Sequence, residues 1–330
     1  MKIGITYDLQ SDYLKEGFTK EEAAEFDKED TIDAIDNALK EIGYQTERIG
    51  NVKELTRCLA KGDRWDLVFN ICEGMYGIGR EAQVPALLDA WNIPYVFSGP
   101  LTLALTLDKA TTKRVIRDAG IPTAEFFVVE KPEDIEKVKI KFPLFAKPLA
   151  EGTGKGIYAG SVINTFDQLK ERCLLLLSKF KQPVLVEKYL SGREFTVGVI
   201  GSGLNAKSAG VMEIVLNNKA EQGVYSFHNK DNYLELVDYH LAEPKFAAEC
   251  EKVALDSWRI LNCLDGGRVD VRYDDNGICS FIEVNPLAGL HPIHSDLPIL
   301  SRLQGVTYYE LMRKIMNSAI ERLKSEEKLK

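Results

Sequence analysis

The N-terminal part of the chain switches repeatedly between short apolar runs and amphipathic stretches. "KIGITYD" is nearly continuous in apolar residues and predicts a buried first strand. A charged helix follows from about Lys20 to Ile42, with Ile32, Ile35, Leu39 and Ile42 on one face and Gly43 as its C-terminal stop. "YQTERIG" predicts a strand, "VKELTRCLAKG" a helix and "WDLVFNIC" a third strand; "EAQVPALLDAWN" predicts a helix and "PYVFSG" a fourth strand. This alternation predicts an open parallel α/β sheet over residues 1–98. Such sheets bind ligands outside the carboxyl ends of their strands, and "NICEGMYGIGRE" sits at one of those ends.

The pattern then changes. In "LDKATTKRVIRDAGIP", Asp108 can cap a helix that stops at Gly120, with Pro122 beyond it. Short strands "EFFVVE", "FPLFAKP" and "IYAGSVI" follow, then a helix from about Phe166 to Lys179, so residues 99–182 read as a small α+β unit. A third region, 183–330, opens on "PVLVEKYL". Strands "EFTVGVIG" and "SAGVMEIVL" lead into the polar stretch "NNKAEQGVYSFHNKDNY". A helix from about Pro244 to Cys263, a hairpin and a last helix after Thr307 complete the chain.

"AKPLAEGTGKGIYAG" is rich in glycine and lysine, the residue types that cradle phosphate. It is not a Walker A loop, because Lys155 is followed by Gly156 rather than Ser or Thr. A dinucleotide fingerprint should open a helix, whereas "IYAGSVI" predicts a strand. A glycine-rich hairpin can fold over a nucleotide as a flap or lie free on the surface, and the loop alone does not choose.

The hairpin "GGRVDVRYDDNGICSFIEVNP" carries more information. Asn276-Gly277 predicts a two-residue type I′ turn, with Asp275 facing Ile278. Val271 then faces Ile282, Asp270 faces Glu283 and Arg268 faces Asn285. Val269, Val271, Ile282 and Val284 point to one side; Arg268, Asp270, Glu283 and Asn285 point to the other. Directly opposed carboxylates repel, so something cationic must hold them. Arg268 could do so. A divalent cation could also do so, with Asn285 as a third oxygen ligand; such oxygens suit Mg2+, which completes its shell with water and phosphate.

Composition narrows the field. The net charge of −8 argues against a nucleic-acid binder, although lysines in the glycine loop form a local basic site. The six cysteines form no Cys-x-x-Cys pair and read as core thiols, as expected in a reducing cytoplasm. No stretch is long enough to span a membrane, and "MKIGITYDLQ" lacks an apolar signal segment.

Together the motifs "NICEGMYGIGREAQVPALLDAWNIPYVFSG", "LDKATTK", "FAKPLAEGTGKG", "VLVEKYLSGREFTVGV", "GGRVDV" and "FIEVNPLAG" resemble those of the D-alanine–D-alanine ligase family, within the ATP-grasp superfamily. The resemblance runs from about Asn70 to the last helix. It implies a Rossmann-like N-terminal domain and an ATP-grasp fold that grips ATP between the central and C-terminal units. It places Lys109, Lys147, Thr153 and Gly154 on the ATP phosphates, Glu187, Lys188 and Leu190 around adenine, and Glu194 on the ribose. It assigns two Mg2+ ions, with Mn2+ as a substitute, to Asp270, Glu283 and Asn285. Lys230 would reach the γ-phosphate, and Arg268, with Gly289 beside it, would serve the tetrahedral intermediate. The implied activity is ATP-dependent carboxylate–amine ligation through an acyl phosphate, on small amino acid or dipeptide substrates, in a homodimer.

The departures from the family cluster at the amino-acid sites. "YDLQSDYLKEGF" replaces the family's glycine-rich turn and Glu-x-x-Val-Ser segment, whose glutamate holds the donor ammonium. Glu73 stands where the family has His, and Asp231 where it has Tyr. The flap reads "EGTGKG" where paired serines are common, so the Tyr, Ser and Glu closing triad is reduced to Thr153. His294 and Ser295 match the pair near the acceptor carboxylate, while His291 and Asp296 are additions. Glu73 suggests a substrate with an added cationic group. A His-x-x-His metal site at 291 and 294 is disfavoured by Pro292. Two other readings stand beside the ligase. A non-catalytic ATP sensor would not need Arg268, Asp270, Glu283 and Asn285, and a dinucleotide-dependent dehydrogenase would need a glycine fingerprint after "KIGITYD".

Overall fold

The computed structural model describes residues 1–221, 223–226, 229–230 and 232–329, the side chain of Ala159 excepted, and gathers the apolar runs into three sheets. β1 (Lys2–Tyr7), β2 (Gln45–Gly50), β3 (Leu67–Ile71) and β4 (Tyr95–Val96) form a parallel sheet in the order β2-β1-β3-β4. β3 is buried along its whole length, Asn70 included, as in a strand covered on both faces. β5 (Phe126–Val129), β6 (Leu144–Pro148), β7 (Val162–Ile163) and β8 (Val184–Lys188) form an antiparallel sheet in the order β5-β8-β6-β7. β9 (Glu194–Ile200), β10 (Lys207–Leu216), β11 (Val237–Leu241), β12 (Gly266–Tyr273) and β13 (Cys279–Asn285) form a third, antiparallel sheet in the order β11-β10-β9-β12-β13.

Four local expectations need correction. The first long helix runs only from Glu29 to Ile42. Upstream, Tyr13, Phe18, Ala23 and Phe26 build a small core of their own, with the Tyr13 and Phe26 rings stacked at 4.1 Å. Those rings lie off the helix's apolar stripe, so the chain folds back to bury them. The run "IYAGSVI" pairs only through Val162 and Ile163. Arg172 holds the residues before it by donating to the Gly156 carbonyl and to Ser161 Oγ, the latter at 2.8 Å. The boundary expected at 182/183 falls one strand early, because β8 pairs with β5 and β6 in the central sheet.

The fourth correction concerns the hairpin. Arg268 faces Asn285, Val269 faces Val284 and Asp270 faces Glu283, but Val271 faces Phe281, not Ile282. The turn is one residue wider than expected. Asp274 pairs with Ile278, and Gly277, at φ +77°, donates to the Asp274 carbonyl. This is a three-residue loop with its glycine in the left-handed region. A bulge at Ile282 then restores the register. Ile282 therefore joins the residues lining the cleft described below, while Val269, Val271 and Val284 stay in the core.

The N-terminal sheet is covered from outside its own segment. Ile3, Ile5 and Phe69 share a core with Leu311, Met312, Ile315 and Met316 of the Tyr308–Ser325 helix. Asp265, fully buried, ties this junction. It accepts from the Phe97 N–H at 2.9 Å and from Arg322 at 2.7 Å, and Arg322 also donates to the Tyr95 carbonyl at 3.0 Å. Removing one partner of a buried pair leaves the other charged and unsolvated, which typically costs about 3–5 kcal/mol. Asp265→Ala should therefore lower the thermal unfolding midpoint by several degrees; an unchanged midpoint would show that Arg322 finds another partner.

Candidate active site

The central and C-terminal sheets face each other across a cleft of about 700 Å3, open mouth included. Ala124, Phe145, Ile157, Leu190 and Phe281 supply apolar walls; Lys147, Glu194, Lys230, Asp270 and Glu283 supply charge. Of the glycine loop, Ile157 lines the cleft among the described residues. Thr153 and Gly154 form the turn at its tip, with φ of +52° and +72°.

Asp270 and Glu283 are paired across β12 and β13 on the charged side of the cleft. Arg268 donates to Asp270 Oδ2, and the Thr196 hydroxyl donates to Oδ1 at 2.8 Å. Asn285 Nδ2 lies 3.5 Å from Asp270 Oδ2. Arg268 thus does hold one of the opposed carboxylates. Glu283 is served from other elements: Lys109 Nζ stands 3.6 Å from its Oε2. Burial pushes Glu283 up, but Lys109, Lys147, Lys230 and Arg268 outweigh it and hold the carboxyl far below the usual range. Asp270 shifts the other way, raised by burial and by Glu283 against the pull of Arg268.

Lys147, on β6, is 3% exposed and pairs with Glu187 of β8 at 3.1 Å. The other Glu187 oxygen accepts from Lys113, itself 1% exposed. Burial raises the Glu187 carboxyl, and the two ammonium groups overcome this and lower it. Glu187 thus orients two lysines from beneath the cleft. Lys188 and Leu190 line the cleft beside it, and Glu194 pairs with Arg272 at 3.1 Å. Lys230 lies over the Tyr225 ring at 4.5 Å. Asp231 lies outside the described residues.

A second charged cluster occupies the carboxyl ends of β1 and β3. Asp8 is buried and accepts from the Tyr13 hydroxyl at 2.5 Å and from the Gly74 N–H at 2.8 Å. Asp27 neighbours it, and burial, with the Asp8 and Asp30 charges adding, pushes its carboxyl up to about 7. Glu73 and Glu81 neighbour each other, and burial raises both, Glu81 to about 7. At the other end of the C-terminal unit, Ser295 Oγ accepts from the His291 N–H at 3.0 Å and sits against Gly289, where an added Cβ would come within 2.8 Å of it. His294 packs on Tyr233, their polar atoms 3.1 Å apart. The His291 and His294 rings stack at 4.3 Å, and His291 Nδ1 accepts two backbone N–H groups.

Residues 115–317 match the sequence profile described as D-ala D-ala ligase C-terminus. The D-alanine–D-alanine ligase of Bordetella avium (strain 197N) is 30% identical over 297 residues, covering 88% of this chain and 89% of that protein. That of Aquifex aeolicus (strain VF5) is 30% identical over 282 residues, covering 84% and 91%. The chain belongs to the D-alanine–D-alanine ligase family. Its fold follows suit: the Bacillus anthracis D-alanine–D-alanine ligase complexed with ATP superposes with a TM-score of 0.72 over 99% of both chains at 22% identity. The VanG D-Ala:D-Ser ligase of Enterococcus faecalis gives 0.72 over 97% and 99% at 19% identity. The architecture is therefore ATP-grasp, and the protein is an ATP-dependent ligase that forms an amide bond.

In this ligase the sequence-predicted residues separate into groups. Lys147, Glu187, Lys188, Leu190, Glu194, Lys230, Asp270 and Glu283 meet at one cleft, with Lys109, Arg268 and Asn285 bonded or paired at its edge. Glu73 belongs to the N-terminal acidic cluster, and Gly289, His294 and Ser295 to the segment before the Asp296–Leu303 helix. The sequence reading missed Lys113, although it stands four residues after Lys109 on the same helix, in the quoted "LDKATTK". Asp27 carried no sequence signal, because only the fold brings it to Asp8.

Asp27 makes a pH test. Its carboxyl ionises near 3.8 when unfolded and near 7 in the fold, so between those values the folded ligase holds a proton that the unfolded chain has shed. Its contribution to stability therefore falls as pH rises through that window. Asp27→Asn should raise the unfolding midpoint at pH 8 and converge on the parent protein near pH 4. A gap that is independent of pH would show that the carboxyl titrates normally.

Proposed function

We propose that this ligase phosphorylates a substrate carboxylate from ATP and joins the activated acyl group to the amine of an amino acid or dipeptide. The observation that carries this reading is the opposed Asp270–Glu283 pair on the charged side of a cleft whose other walls are apolar in part, with Lys147 and Lys230 lining the same space. A carboxylate oxygen attacks the γ-phosphorus, ADP leaves, and an acyl phosphate forms. The amine nitrogen then attacks the carbonyl carbon, loses a proton, and phosphate departs. The chain's own part is to position the groups and balance charge. Lys147 and Lys230 would neutralise phosphate oxygens, and Arg268 would stabilise the oxyanion of the tetrahedral intermediate. The apolar walls would take adenine and exclude water from the acyl phosphate.

Asp270, Glu283 and Asn285 are oxygen donors on one sheet face, the donor class that Mg2+ takes. Among the described residues, no three His, Cys, Asp or Glu side chains converge as a cage. A cation held here would draw its remaining ligands from Asn285, water and nucleotide oxygens. The residues fit Mg2+ or Mn2+ on that basis, and such an ion would supply Lewis-acid neutralisation of the phosphates. Two ions, a homodimer and a cytoplasmic setting complete the proposal; among the described residues, no helix is long and apolar enough to cross a membrane.

The product is D-alanyl-D-alanine or a different amino-acid conjugate. The neighbouring Glu73 and Glu81 support a substrate with a second cationic group. Phosphate release from ATP and Mg2+ should be measured across D- and L-amino acids, cationic ones included, with mass spectrometry of the products. Release with one acid–amine pair, and its loss by about a hundredfold or more in Glu283→Gln with the fold retained, is the expected result. ATP binding without turnover across the panel would favour the nucleotide sensor instead.

A further inference from the structure

Arg268 stands between two carboxylates. Its Nη1 donates to Asp270, and its Nε lies 3.6 Å from Oδ2 of Asp296, the first residue of the Asp296–Leu303 helix. The Asp296 side chain is 11% exposed. Tyr225, which lines the cleft, holds its hydroxyl 3.5 Å from Asp296 Oδ1 and 2.6 Å from the hydroxyl of Tyr239 on β11. Among the described residues, no hydrogen bond to the Asp296 carboxylate is shorter than this 3.5 Å contact. The other carboxylates around the cleft are occupied. Glu187 accepts from Lys113 and pairs with Lys147, Glu194 pairs with Arg272, and Asp270 and Glu283 are the proposed metal ligands. Asp296 is thus the carboxylate beside Arg268 with acceptor capacity to spare. The groups that face it are Arg268 and Asp270 from β12, Tyr225 from the 217–233 segment and Tyr239 from β11.

We propose that Asp296 is the general base that takes a proton from the attacking amine. The inference rests on the ligase reading above, in which Arg268 stabilises the oxyanion. An α-amino group ionises at about pH 8 in model peptides, so at pH 7 most of it arrives as ammonium, with no lone pair to attack with. The attack falls on the carbon whose oxygen Arg268 holds, and a carboxylate on the Nε side of that guanidinium is placed to meet the nitrogen. The ammonium gives one proton to Asp296 Oδ2, and the freed lone pair forms the carbon–nitrogen bond. The nitrogen then loses a second proton to the departing phosphate as the carbon–oxygen bond to that phosphate breaks. Asp296 returns its proton to solvent at its exposed edge. Tyr225, steadied by Tyr239, fixes Oδ1, which leaves Oδ2 for the transfer. A positioned base of this kind contributes about 10²–10⁴-fold.

Hydroxylamine separates a base from a mere support for Arg268, because it is neutral at pH 7 and attacks an acyl phosphate with its lone pair already free. The parent protein and Asp296→Asn should be given ATP, Mg2+ and each amino acid of the panel above, with hydroxylamine present, and amide and hydroxamate measured by mass spectrometry. In Asp296→Asn the ratio of amide to hydroxamate should drop about a hundredfold at pH 7. Its amide rate should then climb about tenfold per pH unit toward the pKa of the amine, because only amine that is already neutral attacks, while the parent's rate levels off at lower pH. Asp296→Glu should recover part of the ratio, and Asp296→Ser serves if the asparagine variant does not fold. An unchanged ratio with both products lost together would show that Asp296 only supports Arg268, and it overturns the proposal. So does an Asp296→Asn chain that keeps its amide yield at pH 7. A parent protein that makes neither product from any acid sinks the ligase reading and the proposal with it, whereas hydroxamate from the parent upholds that reading whatever Asp296 does.

Discussion

Two like charges set opposite each other in a β-ladder organise this molecule. Asp270 and Glu283 are cross-strand partners. At a separation of about 4 Å, unit charges in a medium of effective dielectric ~20 repel by roughly 4 kcal/mol. The fold answers with cations from several elements. Arg268 comes from the same strand as Asp270, Lys109 from a helix N-terminus, and Lys147 from the central sheet. Lys147 is itself too buried to stand alone, so Glu187 balances it, and Lys113 then balances Glu187. The chain of compensation crosses from the C-terminal sheet to the central one. The two sheets are thereby held face to face by the charges that a triphosphate would rearrange.

Much of this was legible in the sequence, though not always for the right reason. The hairpin placed Asp270 opposite Glu283 and Arg268 opposite Asn285, as the structure does. It did so through a turn one residue too tight, and the bulge at Ile282 cancels the error before the functional pairs are reached. Turn chemistry reads Asn-Gly strongly but cannot separate a two-residue loop from a three-residue loop with glycine at its end. A bulge has no sequence mark of its own. The consequence is local: Ile282, expected in the core, lines the cleft.

What stayed hidden is non-local. Period and capping revealed the strands of the parallel sheet and the Asp108 cap, whose side chain accepts from the Thr111 N–H at 2.8 Å. They could not show that the Tyr308–Ser325 helix closes the first sheet's core, because amphipathic period does not name a partner. Nor could they show why residues 20–28 leave the helix. Tyr13, Phe18 and Phe26 gain more by clustering than a helical continuation would allow, and in doing so they deliver Glu21 and Glu25 to the glycine loop. Lys113 was hidden by type: a lysine at a helical core position reads as an exposed charge until its carboxylate partner is seen.

The same distinction separates the two halves of the site. The proposed metal ligands stand on one hairpin, where register places them directly from the chain. The proposed amino-acid site would draw on loops at the ends of β1 and β3 and on the 289–296 segment, where burial and distant charges decide each group's state. Asp8, Asp27, Glu73 and Glu81 crowd together with most of their cationic compensation, Arg80, already committed to Glu25 and Ala150. Buried carboxyls so placed either hold protons or await positive charge. A substrate ammonium entering there would relieve the same repulsion that Arg268 and Lys109 relieve in the other half. On the proposed reading, substrate choice would then follow from the constraint met at both sites, crowded carboxylates, which the fold neutralises from within at the cleft and leaves short of cations at the N-terminal cluster.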